Sequence, residues 1–213
     1  PSMFFSTRVA FKSVIAAKVA SLLAWAAILG NDKLGGFIYT AMQYQEFPPK
    51  ARQQGIMPFL QTLSKMSHVD HLFPSEKKYN LEYTLTRLRR VVRPGSLVCL
   101  ISDFHDVNDS TELHLKQLAR HNEMLGFMIR DPIEIQTPPP NRYGISNGET
   151  IIEWDCRAKA NRDIYEKFFQ DQLANLEGLF QRHRIPWLMI LTDQHIEAHL
   201  SARLGNKKYG YVT

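Results

Sequence analysis

LVCLISDFHD, residues 97–106, begins as an apolar run and ends in Ser102, Asp103, His105 and Asp106. From Leu97 to Ser102 the composition and length are those of a strand made for burial. Its polar tip suits the turn that follows, since Asp and Ser side chains bond their own backbone there. The same tip also gathers two carboxylates, a hydroxyl and an imidazole.

Two further apolar runs end in the same way. LGFMIRD, residues 125–131, closes on Asp131, and PWLMILT, residues 186–192, is followed by Asp193. Helical spacing fills the intervals: Ser110 to His121, with Ser110 or Asp109 as its cap, and Ala158 to Arg182 through Tyr165, Phe168, Phe169, Leu173, Leu176, Leu179 and Phe180. Strands alternating with helices predict an α/β fold with a mostly parallel sheet flanked by helices. Such sheets gather their strand carboxyl ends on one edge, where ligand sites form.

Upstream, Val14, Ile15, Val19, Leu22, Leu23, Ala26 and Leu29 recur at helical spacing, so Arg8 to Leu29 reads as a long helix interrupted by Lys12 and Lys18. Gly30, Asn31 and Asp32 stop it, and LGGFIYT, residues 34–40, reads as a buried strand. Pro48 and Pro49 mark a break; a short helix over Ile56–Met66 then carries Pro58 in its first turn, residues 67–78 read as loop, and a helix from Leu81 to Val92 ends before Pro94. Pro138 to Pro140 form an extended connector. Asn147-Gly148 predicts a two-residue hairpin turn, giving a β-hairpin insertion near residues 142–153.

The chain has 213 residues, 44% hydrophobic and 22% charged, which fits one domain over 1–213 and excludes a disordered or fibrous protein. The net charge of +5 invites acidic partners. Its densest basic group, Arg87, Arg89, Arg90 and Arg93, also fits the solvated face of a helix packing on Leu85, Leu88, Val91 and Val92. With no aromatic stacking platform beside it, nucleic acid is not the expected partner. Cys99 and Cys156 lack metal-ligand spacing and read as free thiols of a reducing compartment. No secretory signal is read at the N-terminus, and the apolar run VASLLAWAAIL, residues 19–29, falls short of the roughly 20 residues a membrane span needs. A cytoplasmic domain without a membrane segment is expected, any anchor of the parent lying outside this chain.

No G-x-S-x-G, H-E-x-x-H or phosphate-binding loop is present, so nothing demands an enzyme. Ser102, Asp103 and Asp106 are donors of the kind that hard cations take, and His105 would be the base of a hydrolase.

The order of motifs resembles a known family. PSM at residues 1–3, GNDKLG at 30–35, RPGSLVCLISDF at 93–104 and the D-P-x-E segment Asp131–Glu134 are similar to the bacterial von Willebrand factor type A-like group catalogued as domain of unknown function 58. The resemblance implies a Rossmann-like sheet and a metal-ion-dependent adhesion site. That site binds magnesium, or another divalent cation, through a D-x-S-x-S motif, a threonine from a neighbouring loop and a later aspartate. On this chain Ser2 matches the second serine, Asp103 the later aspartate and Asn80 the threonine position, although Asn80 also suits a helix cap. The motif's first Asp and Ser, and the first strand, would precede Pro1, so the fragment is expected to bind metal poorly or not at all. Asp131 and Glu134 would organise the turn around Pro132.

The resemblance further implies a noncatalytic, metal-dependent protein-interaction domain working with a MoxR-type AAA+ ATPase in chaperone-like assembly or metal insertion. The alternatives are a magnesium-dependent phosphoester hydrolase and a basic nucleic-acid-binding domain.

Overall fold

The computed structural model describes residues 2–7, 9–51, 53–67, 79–146 and 151–204. Three parallel strands form its centre: β3 (Leu97–Ser102), β4 (Glu123–Arg130) and β7 (Trp187–Leu191), in the order β3-β4-β7. β4 is buried from Met124 onward because it lies between two neighbours with helices on both faces, and its sequence is correspondingly apolar throughout. Alternation divides its side chains between two cores. Met124 and Met128 join Leu85, Leu115, Leu179 and Phe180, from α3 (Leu81–Val91), α4 (Asp109–Ala119) and α5 (Lys159–Arg182). Leu125, Phe127 and Ile129 join Ile15, Val19 and Leu200, from α1 (Lys12–Leu29) and α6 (Ile196–Leu204). The expected layers of helix, parallel sheet and helix are therefore present.

Other expectations change. LGGFIYT does form a strand, β1 (Leu34–Tyr39), but it is half-buried and pairs antiparallel with β2 (Tyr44–Lys50), outside the parallel sheet. Pro48 and Pro49 do not break the chain. They lie within β2, where the register shifts between Leu34 and Gly36; a bulge is where a strand tolerates residues lacking an N–H. α2 (Gln53–Met66) starts earlier than proline-based reasoning placed it, so Pro58 is internal and removes one hydrogen bond to the preceding turn. Packing of Ile56 and Phe59 against Phe47, Ile38 and Ala24 offsets that loss.

α4 is capped by Asn108 rather than by Asp109 or Ser110: its side chain accepts from the Thr111 amide at 2.8 Å. α6 has no counterpart in the sequence reading. β5 (Arg142–Ser146) and β6 (Ile151–Asp155) form the expected hairpin with Ser146 opposite Ile151; the Asn147-Gly148 turn, like most of the 67–78 loop, lies outside the described residues.

α1 begins at Lys12 and runs 18 residues, long and apolar enough to cross a membrane by length and composition alone; the eleven-residue run at 19–29 is shorter because it stops at Lys18. In this fold the helix buries Ile15 and Val19 against the sheet. Its first turn has no side-chain cap. The amides of Lys12 and Ser13 donate to the carbonyls of Phe5 and Met3 at 3.1 and 2.7 Å, so the preceding segment folds back to satisfy two orphan donors.

Candidate functional site

Because β3, β4 and β7 are parallel, Asp103, Asp131 and Thr192 emerge at one edge of the sheet. Asp103, Arg130, Asp131, Thr192 and the Lys12 side chain from α1 are all at most 4% exposed. Charges so deprived of water persist only when paired and hydrogen-bonded.

Lys12 meets that requirement by bridging two loops. Its ammonium donates to Asp103 Oδ2 at 3.1 Å and to Glu134 Oε1 at 2.9 Å. Burial alone would raise the Asp103 carboxyl; the Lys12 ammonium, the Ser2 hydroxyl and the His105 amide outweigh it and hold the group below the usual aspartate range. Phe104, next in the chain, sits at φ 53°, a strained region for a bulky residue. Ser102 Oγ accepts its amide at 3.1 Å, and its ring packs edge-on against Phe180, so the turn presenting Asp103 is held from both sides. Tyr39 ends β1 near this turn; burial, with Asp103 and Asp106 nearby, raises its phenol well above the ordinary value.

The neighbouring turn is built around Asp131. Its carboxylate accepts from the Thr7 amide at 3.0 Å, the Ile133 amide at 3.1 Å, the Thr192 hydroxyl at 2.9 Å and the Thr7 hydroxyl. Burial pushes this carboxyl up, but the four donors prevail and its pKa is lowered. Glu134 Oε2 accepts the Asp131 amide at 2.8 Å, completing a capping box around Pro132. The D-P-x-E segment thus organises its turn as expected, and Glu134 links it to Lys12.

The structure treats the expected metal donors unequally. Ser2 lies close enough to Asp103 for its hydroxyl to help hold the carboxylate charge. Asn80 is exposed and caps α3, its side-chain oxygen accepting the Tyr83 amide at 2.8 Å. Among the described residues, no group of three or more His, Cys, Asp or Glu side chains is arranged to hold a metal ion. As they stand these donors do not fit magnesium: the Lys12 ammonium on Asp103 opposes a second positive charge there, and the Asn80 side-chain oxygen is taken up by the Tyr83 amide.

His105 and Asp106 lie exposed on the rim, and His105 Nδ1 is 3.1 Å from Gln172 Nε2. Asp193 is exposed, outside the buried ion-pair network. In the basic group, Arg87 pairs with Glu46 at 2.9 Å and Arg89 contacts His114 at 2.8 Å.

Lys12, Thr7, Arg130 and Thr192 escaped the sequence reading. For Lys12 a signal existed, a lysine on an otherwise apolar helical face, but its partners are 91 and 122 residues away.

A family model described as "Protein of unknown function DUF58" matches residues 1–175. The chain belongs to this family. No curated protein sequence matches this DUF58 chain significantly. Among solved structures, the conserved hypothetical protein BatB from Bacteroides thetaiotaomicron is similar, with 14% identity and a TM-score of 0.52 over 94% of this chain and 89% of that one. An aerotolerance-related membrane protein from Bacteroides fragilis, carrying multiple mutations to serines, matches at 13% identity and a TM-score of 0.48 over 86% of this chain and 93% of that one. At such identity, BatB supports the fold alone.

Proposed function

We propose that this DUF58 domain is a noncatalytic, von Willebrand factor A-like protein-interaction module, acting beside a MoxR-type AAA+ ATPase in chaperone-like assembly or metal insertion. The partner meets the carboxyl edge at the exposed His105 and Asp106. One observation carries this reading: the buried carboxylates of that edge are committed to Lys12 and to backbone amides. Groups bound in this way position loops, whereas a hydrolase needs a base within reach of a nucleophile or bound water.

The test uses the purified chain and the MoxR-type ATPase of the same genome in calorimetry. Replacing His105 with Ala and Asp106 with Arg lowers affinity at least tenfold and leaves the unfolding midpoint unchanged. Magnesium-dependent turnover of p-nitrophenyl phosphate, abolished by Asp103→Asn, would sink the proposal in favour of a hydrolase.

The nearness of the Ser2 hydroxyl to Asp103 favours a second, metal-dependent reading, in which magnesium or another divalent cation takes the place of the ammonium with Ser2, Asp103 and Asn80 as donors. This reading requires Lys12 to leave. Magnesium affinity should then rise at least tenfold in Lys12→Met and vanish when Asp103→Asn is added; equal affinity in all three proteins rejects it.

A further inference from the structure

The edge of the sheet opposite the carboxylates has a character of its own. The turn from α3 into β3 (93–96) and the turn from α4 into β4 (120–122) are fastened together. The Gly95 amide donates to the His121 carbonyl at 2.7 Å, the Ser96 amide to Asn122 Oδ1 at 3.2 Å and the Glu123 amide to the Ser96 carbonyl at 3.0 Å. This staple sets Arg93 and Arg120 on one rim with Arg89, Arg90 and Lys116, which lie in the last turns of the two helices. All five are exposed, and among the described residues none pairs with a carboxylate. Asp32 and Glu123 are the acids of the turns at this edge.

A helix C-terminus favours cations in its last turn, which accounts for Arg89, Arg90 and Lys116 one helix at a time. It does not account for Arg93 and Arg120, past the helix ends, nor for the apolar side chains beside them. Val91, expected on the packed face of α3, is 50% exposed, and Leu97, which opens β3, is 61% exposed. α1 starts at the carboxyl edge, where Lys12 meets Asp103, and β1 ends there at Tyr39, so the turn between them lies toward the basic rim. Leu29, in that turn, is 82% exposed.

We infer that this basic and aliphatic rim docks on an anionic lipid bilayer. Arginine forks take the phosphate oxygens of headgroups, and Leu29, Val91 and Leu97 enter the boundary between headgroups and acyl chains. Charge complementarity calls for an acidic partner, and the aliphatic side chains decide its kind. Duplex nucleic acid offers no apolar phase to receive them, and single strands are held by stacking rings. Docked in this way the sheet stands on its amino edge, and His105 and Asp106, at the carboxyl edge, face away from the lipid.

The experiment is co-sedimentation of the full chain with sucrose-loaded vesicles of phosphatidylcholine, alone or with about one-third phosphatidylserine. At least about tenfold tighter binding to the anionic vesicles is expected, weakening as salt rises. Arg93→Glu with Arg120→Glu should reduce that binding at least about tenfold, and Leu97→Ser at least about threefold. Lys159→Glu with Lys167→Glu makes the same change of charge at exposed positions of α5 and should leave binding within about twofold, which separates the rim from net charge. Arg90→Glu with Lys116→Glu replaces the first pair if its unfolding midpoint falls below the parent's. A duplex oligonucleotide and polyglutamate serve as competing probes. Equal affinity for phosphatidylcholine alone, equal loss in the rim and control pairs, full affinity in Leu97→Ser, or tighter binding of either competing probe at matched anion concentration would overturn the inference.

Discussion

At the residue scale, Lys12 decides how the carboxyl edge behaves. Removing one partner of a buried ionic cluster leaves the others uncompensated, at a cost of about 3–5 kcal/mol. Lys12→Met should therefore destabilise the chain by about that amount in urea titration, and adding Asp103→Asn with Glu134→Gln should recover part of the loss; an additive triple variant would show that the bridge is energetically idle. Asp131 gives a pH signature. Its pKa is lower folded than unfolded, so its contribution is present above the ordinary aspartate value of about 3.9 and is lost as pH falls through the lowered one. Unfolding midpoints of the parent should fall below about pH 4, whereas Asp131→Asn should be weaker at neutral pH and show a flatter acid limb. Of this site, Asp103 was readable from the apolar strand it ends, and the Asp131–Glu134 turn from the resemblance of its D-P-x-E segment. Thr7 and Lys12 were not, because hydrogen-bonding across 91 to 124 residues has no local periodicity.

At the scale of elements, helix caps and strand pairing separate what pattern reveals from what packing decides. Asn80 precedes a strongly amphipathic α3, and its capping role was visible beside the metal role implied by the resemblance. Asn80→Ala should lower stability by about 1 kcal/mol, with Asn80→Asp near the parent, both measured by thermal unfolding. β3, β4, β7 and α5 were legible because apolar content or helical period persists through them. β2 was not, since Pro48 and Pro49 contradict strand propensity and are tolerated only at a bulged, two-stranded edge. α6 escaped because its buried residues, Ile196 and Leu200, give too short a pattern to announce a helix.

At the scale of the whole molecule, α1 is the element whose setting matters most. Composition alone allows a membrane span, yet Val19 is fully buried against the same core as Phe127 and Ile190. Hydrogen exchange should therefore find the amides from Ile15 to Val19 opening together with β4 at the global unfolding free energy; early exchange in α1 would separate it from the sheet. Thr7 and Thr192 both donate to Asp131, joining positions near the two ends of the described chain through one carboxylate. A ribosome releasing this protein would expose α1, with its apolar surface and Lys12, long before β7 arrives to complete the clasp. Nascent chains stalled before Thr192 leave the exit tunnel with that closure unmade, so the waiting helix is the surface a holding chaperone would shield during synthesis.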